Sequence, residues 1–226
     1  MLRYLDEYKN VEDLMKMTDD ELKWLSNNIR SFILQRGAKY GGHIGTNIGN
    51  IEMIVSLYSV INPKDSFVVY DGAHQKYTHT ILLGKKDTFQ DKGNSIYDLT
   101  ETEYDYVKFG HAGFGASILC GYARATDKQC ILVLSDGCIS TGIEFEGLNN
   151  LSTLNRNVVV VVNDNEHSIM ENVGGIYKDI SLYLKSFGFE YIYVDDGYDI
   201  SRLKTAYINA FKINKPTVVH VKTKKG

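Results

Sequence analysis

Proline is nearly missing from this chain: its 226 residues include two, Pro63 and Pro216. So low a content excludes a polyproline linker or a low-complexity tail, and both prolines fall beside boundaries of the elements expected below. Cysteine is almost as scarce. Cys120, Cys130 and Cys138 show no Cys-x-x-Cys spacing and no histidine at zinc-finger distance, which excludes a disulfide framework and leaves reduced thiols. No charge of one sign dominates either. The 25 basic and 28 acidic residues leave a formal charge of −3, too weak a field to hold nucleic acid or a membrane surface. No apolar run reaches the roughly 18 residues of a membrane span. The start, Met1-Leu-Arg-Tyr-Leu-Asp-Glu-Tyr-Lys9, carries charge where a signal peptide needs an apolar stretch. The expectation is a cytoplasmic protein that binds neither nucleic acid nor membrane.

What is present is an ordinary globular composition, 43% apolar and 23% charged, enough for one compact domain over residues 1–226. Five short apolar runs read as core strands: 66–70, 131–134, 158–162, 191–194 and 217–221. Helical stretches alternate with them at 48–61, 74–83, 113–125, 142–154, 180–187 and 200–213. That order predicts an α/β fold, a doubly wound parallel sheet flanked by helices. Ahead of it, Thr18-Asp-Asp-Glu21 forms a capping box. It opens a helix with Leu22, Leu25, Ile29 and Ile33 on one face and an expected end near Gly37.

Chemistry concentrates where two strands end. The run 131–135 delivers Asp136 to a carboxyl edge just where the chain turns at Gly137, and 158–162 does the same for Asn163-Asp164-Asn165. A right-handed crossover through 142–154 brings both tips to one edge, where open α/β sheets hold ligands. Alone, Asp-Gly is a turn and Asn-Asp-Asn a loop. Together, 29 positions apart from Asp136 to Asn165, they supply a carboxylate, an amide oxygen and backbone carbonyls, the hard ligands that Mg²⁺ takes beside phosphate oxygens.

Two further groups belong near that edge. In Gly110-His-Ala-Gly-Phe-Gly-Ala116, small residues precede a helix, so free backbone N–H groups can meet an anion, although such a loop is also common as plain structure. It is no dinucleotide fingerprint, because Ile118 stands where the third glycine is needed, and no Walker phosphate loop occurs. His43, His74 and His79 lie in segments expected to converge on the same edge. A single histidine there is more often structural; three beside a phosphate-type site can exchange protons or orient a sugar hydroxyl.

The aspartate-to-asparagine pattern resembles the thiamine diphosphate motif Gly-Asp-Gly followed by Asn, with Ser135 in place of the first glycine. The resemblance extends through Gly41-Gly-His-Ile-Gly-Thr-Asn-Ile-Gly49, Asp71-Gly-Ala-His-Gln-Lys-Tyr-Thr-His79, Asn163-Asp-Asn-Glu-His-Ser-Ile-Met-Glu-Asn-Val-Gly174 and Thr223-Lys-Lys-Gly226. These segments are similar to the amino-terminal half of 1-deoxy-D-xylulose-5-phosphate synthase, a relative of transketolase. The resemblance implies thiamine diphosphate and Mg²⁺ as cofactors. It makes Asp136 and Asn165 side-chain metal ligands, with the carbonyl of His167 as the third. Gly137 and Cys138 would give backbone contacts to the diphosphate, as would Gly110, His111 and Ala112; Ala112 lacks the serine hydroxyl of the family. His43 and His74 match channel histidines over the thiazolium, His74 also touching the cofactor, and His79 matches a second histidine of the same motif. Glu146 matches a carboxylate at the family's subunit interface, and on a helix it is equally an exposed charge.

In the superfamily a glutamate from a second domain activates the cofactor's aminopyrimidine, and that domain is not in these residues. The expectation is therefore one subunit of a split enzyme, joined by a separately encoded pyrimidine-binding chain, as α2β2. Such a pair would move a two-carbon unit to an aldehyde or aldose phosphate, taking it from pyruvate in the synthase manner or from a ketose phosphate in the transketolase manner. The alternative is a subunit that binds thiamine diphosphate without catalysis.

Overall fold

A computed structural model of the chain describes residues 5, 7, 8, 10–87, 107 and 112–226. Five strands form one parallel sheet: β1 (Ser66–Asp71), β2 (Gln129–Ser135), β3 (Val158–Asp164), β4 (Glu190–Val194) and β5 (Pro216–Lys222), in the order β1-β2-β3-β5-β4. Nine α-helices flank it among the described residues: α1 (Asp19–Tyr40), α2 (Ile44–Gly49), α3 (Ile51–Tyr58), α4 (Tyr77–Leu82), α5 (Gly115–Ala125), α6 (Asp136–Ile139), α7 (Gly142–Leu151), α8 (Ile180–Ser186) and α9 (Ile200–Lys212). The expected doubly wound architecture is the observed one.

Strand alternation sorts the core into two layers. Val68, Ile131, Val133, Val159, Val161 and Val219 face α1, α3, α4 and α9, while Val69, Leu132, Leu134, Val160, Val162 and Val218 face α5, α7 and α8. The central strands are apolar on both faces because helices cover both. Full burial of side chains such as Leu25 or Ile29 contributes roughly 1.5–3 kcal/mol each.

The predicted capping box is present: Glu21 N donates to Thr18 Oγ1 (3.3 Å) and Thr18 N to Glu21 Oε2 (2.7 Å). Helix α1 runs past Gly37, however, to Tyr40, and stops at Gly41, whose φ of 76° suits glycine. Gly37 instead gives room to Ile44, whose side chain lies where a Cβ would stand. The stretch expected as one helix over 48–61 starts earlier and breaks at Asn50, which turns its amide to the carbonyl of Gln75 (3.0 Å). The stretch 74–83 likewise divides into a 3-10 turn, Ala73–Gln75, and α4. Asn163 and Asp164, expected in a loop, are the last paired residues of β3, opposite Val221 and Lys222. Contacts distant in sequence override local pattern here: packing at Gly37, and hydrogen bonds at Asn50, His74 and the end of β3.

Candidate active site

Strand β2 passes straight into α6, so the turn expected at Gly137 is helical and begins at Asp136. Asp136 is fully buried. Its Oδ1 accepts the Gly137 amide (2.9 Å) and its Oδ2 accepts the Asn165 amide (3.2 Å). Asn165 follows β3 directly, and its Oδ1 accepts the amide of His167 (3.0 Å), while His167 Nδ1 lies 2.9 Å from the Asn165 carbonyl. Between them Glu166 adopts φ 65°, a left-handed conformation that costs a non-glycine residue on the order of 1–3 kcal/mol. Hydrogen bonds on both sides hold it: Glu166 N donates to Asp164 Oδ1 (3.2 Å) and Asn172 N to the Glu166 carbonyl (2.8 Å). The three expected metal ligands, Asp136, Asn165 and His167, thus meet in one fold of chain.

A fourth residue, missed in the sequence, closes that fold. Asn172 donates from Nδ2 to Asp136 Oδ2 (2.9 Å) and accepts from Ser168 Oγ on its Oδ1 (2.7 Å). Its signal was only that it lies near the end of the 163–174 segment.

The donor set fits a hard divalent cation. Among the described residues no group of three or more His, Cys, Asp or Glu side chains is placed to hold a metal; an ion here would have one carboxylate, an amide oxygen and carbonyls to meet it. Burial, and then the nearby charge of Asp164, push the Asp136 carboxyl up to about 6, while three backbone amides only partly offset them. A buried carboxylate in that state gains most from a cation. Asp164 itself is pushed up by burial, yet hydrogen bonds and charge from His220 (2.8 Å) and Lys222 (3.2 Å) leave it below the usual carboxylate range.

His43 and His74 come together at the same edge, ring centroids 6.2 Å apart. Asn47 fastens both segments, donating from Nδ2 to the carbonyls of His43 (2.7 Å) and His74 (2.6 Å) and accepting the Tyr77 amide (2.9 Å). Gln75 and Thr223 join them to β3 through Asn163 (3.3 and 2.6 Å). Lys225 reaches the carbonyls of Ser168 and Ile169, and Gly226 N donates to Gly45 (3.1 Å). Burial, then the Lys225 charge, hold His43 below the usual histidine range. His79 does not join this pair. It lies 1% exposed inside the core, with Nδ1 2.6 Å from Tyr58 Oη and its ring 4.7 Å from that of Tyr70.

The glycine loop behaves differently from expectation. Gly110 and His111 lie outside the described residues, and Ala112 is half-buried. The amides beyond it are not free for an anion: Gly113 N and Gly115 N donate to Asp71 (2.9 and 3.1 Å), and Ala116 N donates to Glu144 (3.2 Å). Protein carboxyl groups already fill the positive end of α5. Cys138 keeps its thiol, since burial raises it well above the usual range, so it offers backbone and not a thiolate. Glu146 is exposed on α7; the buried acid of that helix is Glu144.

The family model described as 1-deoxy-D-xylulose-5-phosphate synthase matches residues 5–185. The chain belongs to this family. The 1-deoxy-D-xylulose-5-phosphate synthase of Clostridium acetobutylicum is 30% identical over all of this chain and 46% of its own length. That of Dictyoglomus thermophilum is 37% identical over 80% of this chain and 30% of its own length. The chain spans about half the length of the curated 1-deoxy-D-xylulose-5-phosphate synthases it matches end to end. Solved transketolases share its fold: that of Campylobacter jejuni superposes with a TM-score of 0.77 at 20% identity, over 92% of this chain and 38% of that one. Membership of this family implies thiamine diphosphate as cofactor.

Proposed function

We propose that this chain is the diphosphate- and magnesium-binding part, one domain over residues 1–226, of a cytoplasmic thiamine diphosphate-dependent transferase. It moves a two-carbon unit from pyruvate or a ketose phosphate to an aldehyde or aldose phosphate. A separately encoded chain supplies the pyrimidine-binding part and its glutamate, in an α2β2 assembly. The convergence of Asp136, Asn165, His43 and His74 on one sheet edge carries this reading.

Asp136, Asn165 and the His167 carbonyl hold Mg²⁺, with Asn172 fixing the carboxylate from behind. The backbone of Cys138, with that of Gly110, His111 and Ala112, receives the diphosphate; the Gly137 N–H, proposed from sequence for the same role, is already taken by Asp136 Oδ1 (2.9 Å). Bound thiamine diphosphate supplies the nucleophilic carbon and the electron sink. His43, whose pKa burial lowers, would accept a hydrogen bond or a proton from a substrate hydroxyl, and His74, with its ring 6.2 Å from that of His43, would also touch the cofactor. His79 acts from the core as a positioning residue for the 74–79 segment.

The test is reconstitution. The purified chain with Mg²⁺ and thiamine diphosphate is expected to show no turnover alone and to gain it when the pyrimidine-binding chain is added; turnover by the chain alone refutes the two-chain reading. CO₂ release from pyruvate by the pair selects pyruvate over a ketose phosphate as donor. A pair inactive across both donor classes favours a non-catalytic cofactor-binding subunit.

A further inference from the structure

Asp71 and Glu144 come from two different elements packed against α5. Asp71 ends β1 and is fully buried, and Glu144 stands in the first turn of α7, also fully buried. Both turn their carboxyl groups onto the first amides of α5. Asp71 accepts Gly113 N on Oδ1 and Oδ2 (2.9 and 3.1 Å) and Gly115 N on Oδ2 (3.1 Å), and Glu144 accepts Ala116 N on Oε1 and Oε2 (3.2 and 3.4 Å). The packing leaves no slack. A Cβ on Gly115 would stand 2.8 Å from Asp71 Cβ, and one on Gly147 would stand 2.6 Å from Ser117 N.

We propose that Asp71 and Glu144 form a two-carboxyl clamp that shares one proton, and that Glu144 is a positioning residue which through this clamp sets the backbone of residues 113–116 of the glycine loop. The cofactor reading enters only in naming that loop as a diphosphate contact.

The proton follows from the surroundings. Glu144 faces Asp71 from β1, Cys138 from α6 and Tyr183 from α8, while α5 presents backbone amides. None of these groups is a cation. Asp71 and Glu144 are buried and accept the neighbouring amides of Gly115 and Ala116, so their carboxyl groups crowd one spot with no cation beside them, and Glu144 keeps a proton there. Burial first, then Asp71, push Glu144 up to about 9. Glu144 therefore stays protonated at neutral pH, its carboxyl group turned to the first turn of α5.

Three measurements on the full chain decide it. Infrared spectroscopy at neutral pH is expected to show a buried protonated carboxyl band that Glu144→Gln removes; its absence from the unaltered chain overturns the shared proton. Hydrogen exchange of the amides of residues 113–116 is expected to stay slow in Glu144→Gln, whose amide can replace both contacts, and to accelerate at least tenfold in Glu144→Ala. Unchanged protection in a folded Glu144→Ala overturns the clamp, and if that variant does not fold the pH series decides. In that series the unaltered chain loses protection at these amides above about pH 9, whereas Glu144→Gln keeps it. Identical pH profiles overturn the clamp. Binding of thiamine diphosphate with Mg²⁺ is read in parallel: its complete absence counts against the cofactor assignment, and the infrared and exchange results still judge the clamp.

Discussion

Asp136 and Glu144 are two carboxyl groups with the same problem and different answers. Each is fully buried in the first turn of a helix on the same side of the sheet, and in each burial is the largest cause of a raised pKa, to about 6 and about 9. Asp136 is surrounded by amides and by the side chain of Asn172, with its charge left for a cation to meet. Glu144 stands against Asp71, and a proton meets its charge. Depth of burial is alike in both, so it does not assign the role; the neighbouring group does.

One chemical change separates them most sharply. Asp136→Asn is expected to weaken Mg²⁺-dependent thiamine diphosphate binding by more than about 100-fold, beyond the ~10–100-fold typical of residues that only orient a ligand. Titration calorimetry at fixed Mg²⁺ measures this, and near-normal affinity removes Asp136 from the metal site. Asn172→Ala belongs inside that range: the Asp136 carboxylate loses a donor, and affinity falls about 10-fold or more with little change in fold.

The pH dependence comes next. A proton competes with the cation for Asp136, so affinity is expected to be level above pH about 6 and to fall by about tenfold per unit below it. Affinity that is flat down to pH about 4 contradicts a competing proton at this carboxyl.

The smallest effect belongs to the other carboxyl. Glu144→Gln keeps the size and the hydrogen bonds, so at neutral pH its unfolding free energy should lie within about 1 kcal/mol of the unaltered chain, or above it. The sign of the pH effect is opposite to that of an ordinary ion-paired acid. Because the folded value near 9 exceeds the ordinary 4.5, the folded chain holds a proton that the unfolded chain has released between these limits. Stability from this group is complete below 4.5, declines as pH rises and levels near 9, and Glu144→Gln should remove the decline in urea titrations.

Much of the fold is legible in the residues. Runs such as 158–162 are apolar at every position, which identifies strands covered on both faces, and Thr18 with Glu21 marks the start of α1 from four residues alone. Asp136, Asn165, His43 and His74 are legible because each sits in a short segment with its own local signature. His79 reads as one of that group, but its ring packs on Tyr58 and Tyr70, and a helical spacing from His74 cannot say which way the broken helix turns it. Gly113, Gly115 and Ala116 read as open anion contacts because the acids that occupy them lie 42, 44 and 28 positions away.

The amino-acid sequence by itself determined the α/β class, the strand and helix order, the family, and the residue types able to meet a hard cation, since these follow from short-range periodicity and local motifs. Only the tertiary structure decided which groups the buried acids Asp71, Asp136 and Glu144 meet, where Gly37 and Gly41 divide packing from helix termination, and that Asn172 supports Asp136. Those outcomes depend on the close approach of chain segments distant in sequence, and on the desolvation that such approach imposes.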